Sequence, residues 1–258
     1  YEIKTMPRLR SYAKLMHKRA YMAMRDLKDA FRQLHIRPED HLYQGYCIFG
    51  QYYVDRHVAY GISSSAASCQ RFVELICRIF NDVFTTNEFM DAAKIDISHC
   101  MDQICAYIDD FLLVADNDRD IQEMERRFDL LLESLGVKQS MAKAAHRCRK
   151  GVVYGWHWDL INQTVSIPPT KLSDFRQFLL WSITHRVVTF GALQKINGKI
   201  FHYAQISPMA KAFAYHSTQA IYAFLKEQHQ SRRRLRNRCV CLPISLVRSW
   251  VFWYLLSP

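Results

Sequence analysis

The sequence has no stretch of about 18 consecutive apolar residues, so no membrane-spanning helix is expected. Its eight cysteines, at positions 47, 69, 77, 100, 105, 148, 239 and 241, include no pair at zinc-ligand spacing with a second pair to match. Several lie in apolar runs, where buried thiols are common, and reduced thiols in an intracellular setting are expected. No internal repeat is visible. Acidic residues are in the minority, 24 Asp and Glu against 35 Lys and Arg, and the net charge of +11 suits a polyanionic partner. The plainer alternative is a basic surface with no such partner. The chain starts Tyr1-Glu2-Ile3-Lys4, without Met or an apolar signal core, so an excised or truncated piece is expected.

Half of the residues are apolar and 13% are aromatic, the composition of a globular chain. Residues 6 to 20 predict a short amphipathic helix with a basic outer face. Residues 21 to 27 read as a buried strand. Residues 42 to 48 and 51 to 58 form a hairpin signal, split at Phe49-Gly50-Gln51. After Gly61 a long helix runs to about Phe84, and a polar loop or insertion covers 85 to 100. Residues 103 to 107 and 111 to 115 make a second hairpin around Ile108-Asp109-Asp110. Ile121, Met124, Phe128, Leu131, Leu132 and Leu135 share one helical face that stops at Gly136. A third hairpin spans 152 to 158 and 164 to 167. Pro168-Pro169 mark a boundary, after which helices are expected at about 170 to 184, 189 to 205, 208 to 227 and 243 to 256. The run Arg232-Arg233-Arg234 reads first as a solvated linker. The order describes an α+β domain followed by an all-helical one.

Two places set carboxylates where burial is costly: Asp26 at the end of an apolar strand, and Asp109-Asp110 at the tip of an apolar hairpin. A divalent cation is a natural partner, and carboxylate oxygens suit Mg²⁺. Two such ions can clamp the attacking and leaving oxygens of a phosphoryl displacement. Structural alternatives stay open. An Asp-Asp pair is a common turn choice, and Asp26 could cap a helix over residues 27 to 34.

Asp26-Leu27-Lys28-Asp29-Ala30-Phe31 resembles the first catalytic motif of reverse transcriptases, and Tyr107-Ile108-Asp109-Asp110 resembles their Tyr-x-Asp-Asp motif. Between them, Tyr60-Gly61-Ile62-Ser63-Ser64-Ser65-Ala66 resembles the Gly-containing motif. Leu135-Gly136-Val137 with Lys143 resembles the fourth motif, and Tyr154-Gly155-Trp156-His157-Trp158-Asp159 the hairpin that grips the primer end. Five ordered motifs in one chain are a specific signal. The run Ala30 to Ile36, Tyr52-Tyr53-Val54-Asp55, Cys69-Gln70-Arg71, Ile167 to Leu172 and Gly198-Lys199 resemble the DIRS-like or Ngaro-like retrotransposons. The likeness runs over roughly residues 20 to 225.

The resemblance implies an RNA-directed DNA polymerase, a nucleotidyltransferase with an RNA template, a DNA primer and deoxynucleoside triphosphates as partners. It implies an α+β polymerase palm, a ferredoxin- or RRM-like antiparallel sheet with helices on one face, followed by an all-helical thumb and connection. The expected division is a remnant of fingers at 1–20, the palm at 21–167, the thumb and connection at 168–230, and a basic linker with a terminal helix at 231–258. Asp26, Asp109 and Asp110 would be catalytic and hold two Mg²⁺ ions, or Mn²⁺ in their place. Leu27, Asp29, Ala30, Phe31, Tyr60, Gly61 and Lys143 would line the nucleotide site, with Phe31 under the sugar. Tyr107, Gly155 and Trp156 would meet the primer, although Phe31 and Trp156 also read as core residues. Phe31 and Tyr107 speak against an RNA-directed RNA polymerase. Two features depart from the family: Val58-Ala59-Tyr60-Gly61 replaces a Leu-Pro-Phe-Gly type of sequence, and Arg25 precedes Asp26 where an apolar residue is usual. Only 25 residues precede Asp26, so most of a fingers region is expected to be missing, and an RNase H, whose acidic set nothing at the C-terminus resembles, is expected to follow Pro258. A non-catalytic nucleic-acid-binding remnant is the competing expectation.

Overall fold

The computed structural model describes residues 19–62, 64–85, 104–205, 210–228 and 235–256. Most of the helix expected over 6 to 20, the loop expected after Thr85 and the Arg232–Arg234 run lie outside them. The chain divides into two compact units, Tyr1–Tyr154 with Trp158–Thr164, and Gly155–His157 with Val165–Pro258.

In the first unit, β1 (Tyr21–Asp26), β4 (Ile104–Tyr107), β5 (Asp110–Ala115) and β6 (Ala145–Cys148) form one antiparallel sheet in the order β4-β5-β1-β6. The β1–β5 register runs unbroken from Tyr21 opposite Ala115 to Asp26 opposite Asp110. Side chains alternate across a sheet. Ala23, Phe111, Leu113 and Ala115 therefore face one side, where α1 (Ser65–Thr85) and α2 (Asp118–Ser134) close the core with Val73, Ile76, Phe80, Ile121, Phe128 and Leu132. Met22 and Met24 face the other side. There Gly151, in β7 (Lys150–Val153), lies so near that a Cβ on it would come within 3.0 Å of the Met24 methyl and 3.2 Å of the Met22 methyl.

Helix α2 starts where Asn117 accepts a hydrogen bond from the Asp120 amide at 2.9 Å. It stops at Gly136, whose φ of 68° closes the last turn with Gly136 N–H to Glu133 O at 2.9 Å and Val137 N–H to Leu132 O at 2.8 Å. Phe128 meets Phe80 and Phe111 edge-on at 5.3 and 4.9 Å. The hairpin β2 (Gly45–Ile48) and β3 (Gln51–Val54) turns at Phe49 and Gly50, both left-handed, and all of its residues are exposed. The expected strand from 42 begins later, because Pro38 opens a 3₁₀ turn that lasts to Gln44.

β7, β8 (Trp156–Asp159) and β9 (Thr164–Ser166) form a three-stranded sheet in that order. The sequence merges β7 and β8 into one strand, because the turn at Tyr154-Gly155 interrupts a continuous apolar run.

The second unit holds α3 (Pro169–His185), α4 (Phe190–Tyr203), α5 (Ala210–Gln228) and α6 (Ile244–Leu256), at or near the expected positions. Phe175, Leu179, Leu193, Ile196, Val247 and Trp250 are buried, and the Trp250 indole N–H donates to Ser217 Oγ at 2.9 Å. This unit is not all-helical. β10 (Val187–Thr189) pairs with β11 (Cys239–Cys241), and strands of three residues leave no readable period. The described cysteines are unbridged. No helix among the described residues is long and apolar enough to cross a membrane.

Phe128→Ala opens a cavity where α1, α2 and the sheet meet and is expected to cost about 3 to 5 kcal/mol. Phe49→Ser removes an exposed ring and is expected to leave stability unchanged. Urea unfolding of both variants checks the contrast.

Candidate functional site

The β1–β5 register brings together two of the three predicted carboxylates. Asp26 and Asp110 are cross-strand partners and share a sheet face, and Asp109 stands in the adjoining turn. Asp26 is only 7% exposed. Lys143, in the 3₁₀ turn Met141–Lys143, sets its ammonium on both Asp26 oxygens, at 2.9 and 3.1 Å. Burial first, and then the charges of Asp109 and Asp26, push the Asp110 carboxyl up to about 6. Asp109 is raised too, by burial and then by the charge of Asp26. Asp26 holds the Lys143 ammonium above its ordinary value. Among the described residues no group of three or more His, Cys, Asp or Glu side chains stands ready to hold a metal ion. The Asp26 oxygens are bound to Lys143 instead.

The turn itself is strained. Tyr107 and Asp110 are paired, so Ile108 and Asp109 form a two-residue loop, and Ile108 adopts φ 57°. A β-branched residue is an outlier there. Its neighbours hold it in place. Ile108 N–H donates to Gln70 Oε1 at 2.9 Å, and Gln70 Nε2 donates to Ala106 O at 3.2 Å. The Cys69 thiol donates to Ile108 O at 3.2 Å, and burial pushes that thiol up to about 11, so it keeps its proton. Leu27 N–H donates to Asp109 O at 2.8 Å. The sequence offers Cys69-Gln70 as a likeness only, with no sign that both side chains reach the carboxylate hairpin.

Of the predicted nucleotide residues, Leu27 and Ala30 are buried and pack in the core. Asp29 is left-handed at φ 50° and leads into the 3₁₀ turn Ala30–Gln33. Phe31 and Tyr60 meet edge-on at 5.1 Å, and Gly61 follows with φ 86°, a conformation that favours glycine. Tyr107 meets Tyr154 edge-on at 6.0 Å.

Gly155 and Trp156 belong to the second unit. Trp156 is buried, with its ring stacked on His202 at 4.5 Å, so the ring is part of the core and not an open primer contact. A Cβ on Gly155 would meet His202 Nε2 at 3.2 Å. Close by, Lys171, Lys195, Gly198, Lys199 and His202 line a cavity of about 550 Å³, together with Asp174. Burial and then the charge of Lys171 lower His202, which favours its neutral form. Lys195 belongs to none of the sequence motifs. The available signal was its spacing from Lys199, four residues along α4, which puts both on one face.

The sequence pattern of the reverse transcriptase (RNA-dependent DNA polymerase) family matches residues 1–179, and the chain belongs to that family. No curated protein sequence matches it. Its fold is similar to the foamy viral protease–reverse transcriptase. One structure of that protein, in complex with double-stranded DNA, is 14% identical with a TM-score of 0.62, over 98% of this chain and 38% of that one. Another, also with double-stranded DNA, is 17% identical with a TM-score of 0.52, over 100% of this chain and 47% of that one. A third, with an RNA/DNA hybrid, is 15% identical with a TM-score of 0.50, over 83% of this chain and 26% of that one. The chain thus spans less than half the length of these proteins. The α+β class and the antiparallel palm-like sheet with helices on one face agree with this fold.

Asp110 binds its proton more tightly when folded than at its ordinary value of 3.8. Native chains hold the extra proton, so metal-free stability falls as pH rises from about 4 to about 6 and stays lower above. Asp110→Asn is expected to raise the melting temperature in EDTA at pH 7 and to bring no gain below about pH 4. Melting curves across that range check the sign, and a lower melting temperature at pH 7 contradicts it.

Proposed function

We propose that this chain is the palm-and-thumb part of a reverse transcriptase that makes DNA on an RNA template by two-metal nucleotidyl transfer. The carrying observation is the β1–β5 register, which sets Asp26 opposite Asp110 with Asp109 in the turn, within a chain of this family. Residues 21–167 serve as palm, 168–230 as thumb and connection, 231–258 as a basic linker with a terminal helix, and 1–20 as a remnant of fingers. The exposed β2–β3 hairpin, and the small share of the similar solved proteins that the chain spans, support a fragment of a larger enzyme. The DIRS-like or Ngaro-like assignment rests on the residue runs at 30–36, 52–55, 69–71 and 167–172. An intracellular retroelement is the setting that goes with it.

Asp26, Asp109 and Asp110 would hold two Mg²⁺ ions, with Mn²⁺ as the substitute. Their oxygens are the hard donors such ions take, and the raised Asp109 and Asp110 carboxyls are the groups a dication would relieve. When bound, the ions supply charge neutralisation at the triphosphate and a lowered pKa for the primer 3′-hydroxyl. The protein's own groups do the rest. Phe31 and Tyr60 wall the sugar and select deoxynucleotides. The Asp29-Ala30 backbone and Gly61 allow close approach of the nucleotide. Lys143 sits on Asp26 and neutralises or protonates the leaving pyrophosphate. In the second unit, Lys171, Lys195 and Lys199 take backbone phosphates of the primer–template, beside Gly155. Double-stranded DNA and an RNA/DNA hybrid in the similar structures support such partners.

One observation favours a second reading, a non-catalytic nucleic-acid-binding remnant. Lys143 occupies Asp26, the carboxylate a metal ion would need.

Primer extension on an RNA template with Mg²⁺ separates the two. Asp26→Ala and Asp109→Ala are expected to cut incorporation by at least about 10²-fold. Equal extension by wild type and Asp109→Ala rejects the catalytic reading. Salt-dependent duplex binding without incorporation establishes the remnant. In either case Lys195→Ala with Lys199→Ala is expected to weaken duplex binding and to flatten its salt dependence, with a slope change of about 2 in a log–log plot.

A further inference from the structure

Arg25 stands one residue before Asp26 and turns to the opposite sheet face, where it is only 1% exposed. Its Nε donates to Asp129 Oδ1 at 2.8 Å, and its Nη2 donates to Asp129 Oδ2 and Glu125 Oε1, each at 3.0 Å. Its Nη1 donates to Met24 O at 3.0 Å and to Ala145 O at 3.3 Å. One side chain thus joins β1, α2 and β6. Asp129 also accepts from Gln139 Nε2 at 3.2 Å. Gln139 forms an antiparallel bridge with Leu27, and the next amide, Ser140 N–H, donates to Asp26 O at 2.8 Å. Three residues on, Lys143 reaches the Asp26 carboxylate.

Stability alone is a poor reason for this cluster. Apolar replacement of a buried Arg–carboxylate group is often neutral or stabilising. Gln139 adds a further cost, because its Oε1 is buried without a hydrogen-bond partner. The Lys143 contact, in turn, has little strength of its own. The lysine side chain is 64% exposed against 10% for Asp26, and ordering so exposed a side chain in water offsets much of what the contact gains. The contact persists only if the backbone beneath Lys143 is fixed against β1.

We propose that Arg25, Asp129 and Gln139 are positioning residues that lock the segment carrying Lys143 to the strand carrying Asp26. The assignment rests on the reading of Asp26 as a catalytic carboxylate. Arg25 fixes β1 to α2 through both Asp129 oxygens, and Gln139 ties the 138–143 segment to the same carboxylate. The Arg fork is the useful part, since a lysine carries the charge but not the two-pronged geometry. An apolar residue at position 25 would leave this anchor out.

The test uses the 258-residue chain and reads the acylation rate of the Lys143 amine by mass spectrometry, with Asp26→Asn as the reference for a released lysine. Asp129→Asn, Gln139→Met and Arg25→Lys are each expected to speed acylation several-fold, toward the Asp26→Asn rate. Gln139→Met leaves the Arg25–Asp129 pair whole and removes the orphaned oxygen, so it folds with little change in its urea midpoint. In primer extension the same variants are expected to lower kcat with KM unchanged. Unaltered Lys143 acylation in Gln139→Met and Asp129→Asn overturns the proposal, and any loss of stability is then the whole effect. A wild-type rate in Arg25→Lys overturns it too, because charge would then suffice without the fork. Failure of the polymerase reading is a separate result, seen as equal extension by wild type and Asp26→Asn, and it leaves the acylation measurement intact.

Discussion

Six consecutive residue pairs between β1 and β5 decide the geometry of this molecule's acidic centre. Like charges directly opposite each other weaken a sheet. Asp26 and Asp110 nevertheless stand opposite at the end of the ladder. The apolar pairs behind them enforce the register, because Ala23 opposite Leu113 and Met22 opposite Val114 must keep their faces. A slip of one residue would throw every side chain of β1 to the wrong side of the sheet. The core therefore sets the repulsion in place, and burial first, with that repulsion behind it, raises the carboxyls of Asp109 and Asp110. This is the arrangement expected where a positively charged ligand completes a site.

The hairpin that delivers Asp109 and Asp110 is held from two directions. Gln70 and Cys69 on α1 bind the backbone of Ile108, and Leu27 binds that of Asp109. Strain at Ile108 persists because its surroundings over-determine the turn. Beyond β1, Lys143 arrives on a segment bridged to Leu27. Rigid backbone thus frames the carboxylates on both sides, while the lysine head group itself stays in water.

Much of this was legible in the residues. The apolar runs of β1 and β5, the helical stripe of Ile121, Phe128 and Leu132, and the stop at Gly136 are all local signals. The three carboxylates were readable for the same reason, since charge at the ends of apolar strands stands out. What escaped reading was tertiary. Nothing near Gln70 in sequence points to Ile108, and nothing near Arg25 points to Asp129, because such pairs are set by helix-on-sheet packing. Trp156 could be read as primer contact or as core, and only its stacking on His202 places the ring inside. The short strands β10 and β11 were lost for want of length, and a proline at position 38 displaced the start of β2.

The β2–β3 hairpin has a consequence of its own. Neither strand contains a charged residue, and among the described residues each pairs along one edge only. Proteins usually blunt such edges with Lys or Pro. Mutual repulsion between chains of charge +11 opposes the approach of two such edges. Salt shortens the reach of that repulsion to about 3 Å at 1 M. Concentrated buffer, the usual means of stripping bound nucleic acid from a basic protein, therefore also removes the barrier to strand-on-strand association, and purity and colloidal stability pull in opposite directions for this chain.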